Sequence, residues 1–229
     1  MIASLFGTAM PPGTITALIV QTGDKERVNV FIDGQFAIGI SMYVMQDERL
    51  HKGKVLSQAD WNRLEQAERG VQAWNAALRL LEARPRSERE LRTRLQRKEF
   101  APEHIDAAIK RLRELELLDD AQFARLWIAN RQNLSPRGAQ ALRQELHAKG
   151  VDRQVVEQVI TTNIDVDTER EACAAVARRA LHKYAKEPDR LTFQRKFGAF
   201  LQRRGFSFET IKPILAELWQ EIRGEQLED

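Results

Sequence analysis

Residues 135–151 read "SPRGAQALRQELHAKGV", and this stretch decides the fold. Ser135 is expected to cap a helix, Pro136 suits its first position, and Gly150 suits the exit. Leu142 and Leu146 are four apart and share one helical face. The same skeleton recurs at 87–100, "SERELRTRLQRKEF", with Leu91 and Leu95, and at 193–206, "FQRKFGAFLQRRGF", with Phe197 and Leu201.

Downstream spacing extends the match. The series Leu91, Leu95, Lys98, Phe100, Ile105, Ile109 aligns with Leu142, Leu146, Lys149, Val151, Val156, Ile160 and with Phe197, Leu201, Arg204, Phe206, Ile211, Leu215. Another amphipathic helix precedes each unit, around 71–81, 120–131 (with Phe123, Trp127 and Ile128 on one side) and 168–184. Leucines recurring every 51 to 55 residues therefore mark three three-helix repeats, each too small to bury its apolar face alone. Stacked together, they are expected to form an elongated, curved solenoid. Asp119 or Asp120 and Ser207 are placed to cap helices, and Gly150 and Gly205 mark tight exits. Glu99 stands where the other repeats have glycine; a left-handed backbone there costs about 1–2 kcal/mol, so a different first turn is expected.

Upstream, 14–20, 27–33 and 35–41 are rich in β-branched and aromatic residues, with Gly34 between the last two, and predict a small antiparallel meander. Ser57 and Asp60 are spaced like the start of a helix on which it packs. The fold class is thus mainly α behind a small β-sheet. The expected divisions are 1–56 (leader and meander), 57–117 (first repeat with its connecting helix), 118–165 (second repeat), and 166–229 (third repeat with an acidic tail).

Of 229 residues, 43% are hydrophobic and 30% charged, an ordinary soluble balance. No run approaches the roughly 20 apolar residues of a membrane helix, and the first residues lack a secretory pattern, so a cytoplasmic protein is expected. Cys173 excludes an internal disulfide and, among alanines, reads as a packed structural thiol. Gly34 and Gly39 make no phosphate-binding loop, and His51, His104, His147 and His182 are scattered. No catalytic constellation, metal site or cofactor is expected.

Charge is unevenly placed. Residues 1–70 hold seven Lys/Arg against eight Asp/Glu, whereas 84–98 hold seven against two and 178–204 nine against two. On the wheel of the middle helix, Arg89, Arg92 and Arg97 in the first repeat turn outward or to the flank. So do Arg137 and Arg143 in the second repeat and Arg195, Lys196 and Arg203 in the third. One such arginine is ordinary solvated surface; recurrence in all three repeats suggests a basic stripe for a nucleic-acid backbone or an acidic protein groove. Lys98, Lys149 and Arg204, near helix ends, are expected to serve the last carbonyls. Phe123, Trp127, Phe193, Phe197 and Phe200 have core spacing and read as packing.

The stretches "RPRSERELRTRLQRK", "LELLDDAQFARLWIANR", "SPRGAQALRQELHAKGV" and "FLQRRGFSFETIKPIL" resemble, in that order, the signatures of the RecX family, bacterial regulators of the recombinase RecA. The resemblance covers about 70–220 and extends loosely to the N-terminal strands. It implies a non-catalytic protein that binds the RecA–DNA filament along its groove and inhibits recombinase, ATPase and coprotease activities. Such a protein would regulate DNA repair and the SOS response, touching single- or double-stranded DNA weakly. No membrane partner is expected, and a repeat array of this kind is expected to act as a monomer. Two other classes are compatible with helices alone: a helical DNA-binding transcriptional regulator, which would concentrate its arginines on one recognition helix, and a scaffold for an unrelated protein.

Overall fold

In the computed structural model, residues 12–225 are described, so the leader residues 1–11 and the tail residues 226–229 lie outside the described residues. Three strands, β1 (Gly13–Val20), β2 (Arg27–Ile32) and β3 (Gln35–Ser41), form the antiparallel meander. Asp33 and Gly34 both take positive φ (49° and 85°), the pairing a tight hairpin turn requires, and join β2 to β3. After a short helix, α1 (Met42–Asp47), the two-residue strand β4 (Val55–Leu56) adds to β1 and gives the order β3-β2-β1-β4. A strand of two residues carries no periodic signal, which is why the sequence predicts three strands and the structure has four.

One sheet face, with Ile15, Val28, Val30, Ile32, Ile38 and Ile40, is sealed by Trp61 and Leu64 of α2 (Gln58–Ala83). That helix starts with the expected capping box: Ser57 Oγ accepts from the Asp60 amide, and the Asp60 carboxylate accepts from the Ser57 amide and hydroxyl. These bonds hold the partly exposed Asp60 carboxyl down at about 2.

The rest is helical: α3 (Glu88–Gln96), α4 (Pro102–Glu114), α5 (Asp120–Leu134), α6 (Ala139–Ala148), α7 (Arg153–Asn163), α8 (Val166–Ala180) with a 3-10 turn at Leu181–Lys183, α9 (Arg190–Arg203) and α10 (Phe208–Glu225). These make the three tandem three-helix repeats, the first using the C-terminal part of α2. The residues of the repeated skeleton do the packing: Leu91, Leu95, Leu142, Leu146, Phe197 and Leu201 are all fully buried. Cys173 lies in the core of the third repeat, where burial pushes its thiol up to about 12, as a packed structural residue should be. The chain divides into two compact units, one of residues 1–84 and 92–114, the other of 85–91 and 115–229.

Within the second unit, successive repeats are joined by a recurring set of bonds. Asp119 caps its own helix through the Ala121 amide, while Asp120 accepts from the Glu88 amide. In the next joint Glu169 accepts from the Ala139 amide, the equivalent position one repeat on. The turn that ends the middle helix of the second and of the third repeat completes the joint. Ser87 Oγ donates to the Lys149 carbonyl at 2.6 Å, and the Gly138 amide donates to the Arg204 carbonyl at 3.0 Å.

This joint overturns the expected start of α6. Ser135 closes α5 instead of opening α6, and Arg137 and Gly138 are not helical. The Gly138 amide is spent on the third repeat, and a Cβ at Gly138 would lie 2.2 Å from the Gly205 carbonyl oxygen. Tertiary bonding thus displaces a local capping signal by three residues. Glu99, for its part, adopts φ 62°, so the first repeat turns as the others do and carries the strain, against the expected different turn.

Candidate interaction surface

The cations expected to form a stripe lie on α3, the segment before and within α6, and α9, and the structure sorts them by partner. Arg92 is paired with Asp106, Arg143 with Glu157 at 3.0 Å, and Lys196 with Glu187 at 2.8 Å. A cation already satisfied by a carboxylate within the fold presents little net charge to a partner. Arg137 is half-buried, 3.9 Å from a Glu145 oxygen, and its Nε makes no hydrogen bond. The Arg89 side chain lies against Gly150.

That leaves Arg97, Arg195 and Arg203, exposed and without an ion pair among the described residues. Arg195 is near enough to Asp189 to help hold that carboxyl below its usual range, after the amide and hydroxyl of Thr192, which lower it most. The basic surface is therefore sparser than the sequence suggests, because pairing acids on neighbouring helices, such as Asp106 and Glu157, are 14 residues from their arginines and invisible to a helical wheel.

Other cations, not among the expected eight, gather where the second and third repeats meet. Arg179, Lys183 and Arg204 line a cleft of about 290 Å³ with Ser135, Pro136 and Phe200, and no acid is in its wall. The Arg204 guanidinium lies 5.1 Å over the Phe200 ring, and its pKa is lowered by burial first and by the nearby Arg137 charge second. Two like charges held close in a partly desolvated site present a strong field to an anion. A nine-to-two basic excess over 178–204 was the sequence signal; which of the nine converge was fixed by the docking of the second and third repeats.

The expected service of Lys149 and Arg204 to their own helix ends is replaced by other contacts. Lys149 Nζ donates to Glu90 at 2.9 Å and lies 5.0 Å over the Trp127 ring. It is their carbonyls that matter, as acceptors in the joints. Arg131 also stacks on Trp127, and the indole N–H donates to Glu145. The Trp127 ring is thus occupied by two of the protein's own cations, in keeping with a packing role. Among the described residues there is no group of His, Cys, Asp or Glu fit to hold a metal, and no helix is long and apolar enough to cross a membrane.

Comparison with known proteins agrees over most of the chain. Residues 13–57 match the family model for the "Regulatory protein RecX N-terminal domain", and 73–112, 119–160 and 167–215 match those for the first, second and third three-helix domains of RecX. The chain is 30% identical over 208 residues to the regulatory protein RecX of Listeria welshimeri, covering 91% of this chain and 77% of that one. It is 29% identical over 214 residues to the protein of that name from Clostridium acetobutylicum, covering 93% and 99%. A crystal structure of a regulatory protein RecX shares the fold with a TM-score of 0.75 at 24% identity, over 88% of this chain and 98% of that one. RecX from Lactobacillus salivarius superposes with a TM-score of 0.61 at 25% identity, over 66% and 97%.

Proposed function

The chain belongs to the RecX family of regulatory proteins, which are not enzymes, and from that premise we propose that it binds the RecA–DNA filament along its groove. In this reading it inhibits the recombinase, ATPase and coprotease activities of RecA, and so regulates DNA repair and the SOS response. The carrying observation is that each of the three repeats presents cations from its middle helix, with Arg97, Arg195 and Arg203 left unpaired. A filament repeats its anionic surface at fixed intervals, and a tandem array offers cations in a matching series. Arg89 belongs to the same repeated series, as do Arg92, Arg137, Arg143 and Lys196, which act with part of their charge already compensated. The cleft of Arg179, Lys183 and Arg204 supplies the most concentrated contact.

The test is DNA-dependent ATP hydrolysis by RecA on single-stranded DNA, titrated with this protein at two salt concentrations. Inhibition that weakens at the higher salt is expected. The double variant Arg195→Glu/Arg203→Glu should keep its melting temperature and lose at least tenfold in inhibitory potency. Unchanged ATP hydrolysis at stoichiometric protein rejects the reading.

A further inference from the structure

The turn after the middle helix is covered in two repeats and open in one. Lys149–Gly150 receives the segment 87–90, and Arg204–Gly205 receives 138–141. The equivalent turn of the first repeat, Lys98–Glu99–Phe100, has no earlier repeat before it and instead borders an open cleft of about 640 Å³. From α2 come Arg69, Gln72, Asn75 and Arg79, from β2 comes Arg27, and from the end of α3 come Arg97 and Lys98. Five cations and one acid, Glu99, line the wall, and of the cations Arg27 is already paired with the buried Glu68. Arg79, Arg97 and Lys98 are exposed and make no ion pair among the described residues.

The deep side of the cleft is built. Glu68, only 2% exposed, accepts from Arg27 at 3.0 Å, from the Ser41 amide at 2.8 Å and from Gln72 Nε2 at 2.9 Å. Arg27 also donates to the Gly39 carbonyl at 2.8 Å. Two wall residues, Arg27 and Gln72, are therefore held in place before any ligand arrives, which lowers the ordering cost of binding.

The occupant differs in kind from that of the covered joints. A Cβ at Gly150 would lie 2.1 Å from Arg89, and one at Gly205 would lie 2.3 Å from Ala141. Glu99 does carry a Cβ, so a helix start cannot approach this turn as 87–90 and 138–141 approach theirs. Nor does a single acidic side chain, like Glu90 on Lys149, answer the three exposed cations Arg79, Arg97 and Lys98. We propose that this cleft is a binding site for the phosphodiester backbone of a nucleic acid, distinct from the cations of α6 and α9. The amides of Gln72 and Asn75 add neutral donors for phosphate or sugar oxygens. The proposal rests on the nucleic-acid half of the function proposed above and is separable from the RecA half, because binding is measured without RecA.

Fluorescence anisotropy of a labelled 20-nucleotide oligo-dT with the full chain tests it, with a poly-glutamate peptide as competitor. For Arg79→Glu/Arg97→Glu, at least a tenfold loss of affinity is expected, with the slope of log affinity against log salt falling by about 1.4, at ~0.7 per phosphate contact on single strands. Arg153→Glu/Lys212→Glu, the same change of charge at exposed residues outside the cleft, serves as the control and should change affinity less than threefold. Glu99→Gln, which removes the acid without touching the fold, should strengthen binding two- to fivefold. Wild-type affinity in Arg79→Glu/Arg97→Glu overturns the proposal, and so does displacement of the oligonucleotide by poly-glutamate at equal charge concentration, which would make the cleft a peptide site. The single variant Arg79→Glu, at an exposed wall residue outside the filament-facing set, is expected to weaken oligonucleotide binding while RecA inhibition persists, so that the two readings fail independently.

Discussion

Glu99, Gly150 and Gly205 occupy the same place in three repeats and share a left-handed backbone, with φ 62°, 83° and 86°. Their neighbourhoods differ. A Cβ at Gly205 would lie 2.3 Å from the backbone nitrogen of Ala141, one at Gly150 would meet the side chain of Arg89, and Glu99 borders the open cleft. The backbone conformation follows from ending a helix and turning sharply; the residue type follows from what must come close. Where backbone approaches, glycine is obligatory on two counts; where nothing approaches, an L-residue is carried at a strain of about 1–2 kcal/mol.

The largest expected effect that would break this comparison is Gly205→Ala, which combines that strain with overpacking against an immovable backbone. A loss of about 3–5 kcal/mol is expected in chemical denaturation. Cys173 reports it directly. Its native thiol, pushed up to about 12 by burial, should be unreactive at pH 8 in the parent protein, and it should label faster in the variant as the third repeat opens. The raised value also means that Cys173 contributes stability fully below its ordinary pKa of 9.0, and that this is lost as pH rises from there toward 12.

Gly150→Ala should cost less, about 2–3 kcal/mol, because part of the obstacle is a flexible side chain. Adding Arg89→Ala should recover about 0.5–1 kcal/mol of that loss and none of the loss in Gly205→Ala; additive losses in both backgrounds would show that side chain and backbone obstruct alike. Lys149→Met, which removes a partly exposed ion pair with Glu90, should cost less than about 1 kcal/mol. Glu99→Gly should move the other way, a gain of about 0.5–1 kcal/mol after the greater freedom of an unfolded glycine is set against relieved strain. A net loss there would mean that Glu99 has a stabilising role in the native cleft.

How much was legible in the sequence depended on the range of the interaction. The repeat, its buried skeleton, the Ser57–Asp60 capping box and the Asp33–Gly34 hairpin depend on residues within a few turns of one another, and periodicity exposes them. The start of α6 was misplaced because Gly138 answers to Arg204, 66 residues away, and a Ser-Pro signal has no knowledge of that bond. Charge failed in the same way. Arg92, Arg143 and Lys196 read as free cations until the fold brought Asp106, Glu157 and Glu187 against them. Conversely, Arg179, Lys183 and Arg204 form a cleft only because repeats two and three dock.

By itself, then, the sequence determined that this protein is three similar helical units behind a small sheet, because each unit's apolar spacing is dictated by the pitch of its own helices. It also marked, through Gly150 and Gly205, the left-handed turns that follow the second and third middle helices. Only the tertiary structure decided which cations remain unneutralised and which turn stays open. Those outcomes depend on bonds between residues far apart in the chain, whose free energy is gained only when the units pack.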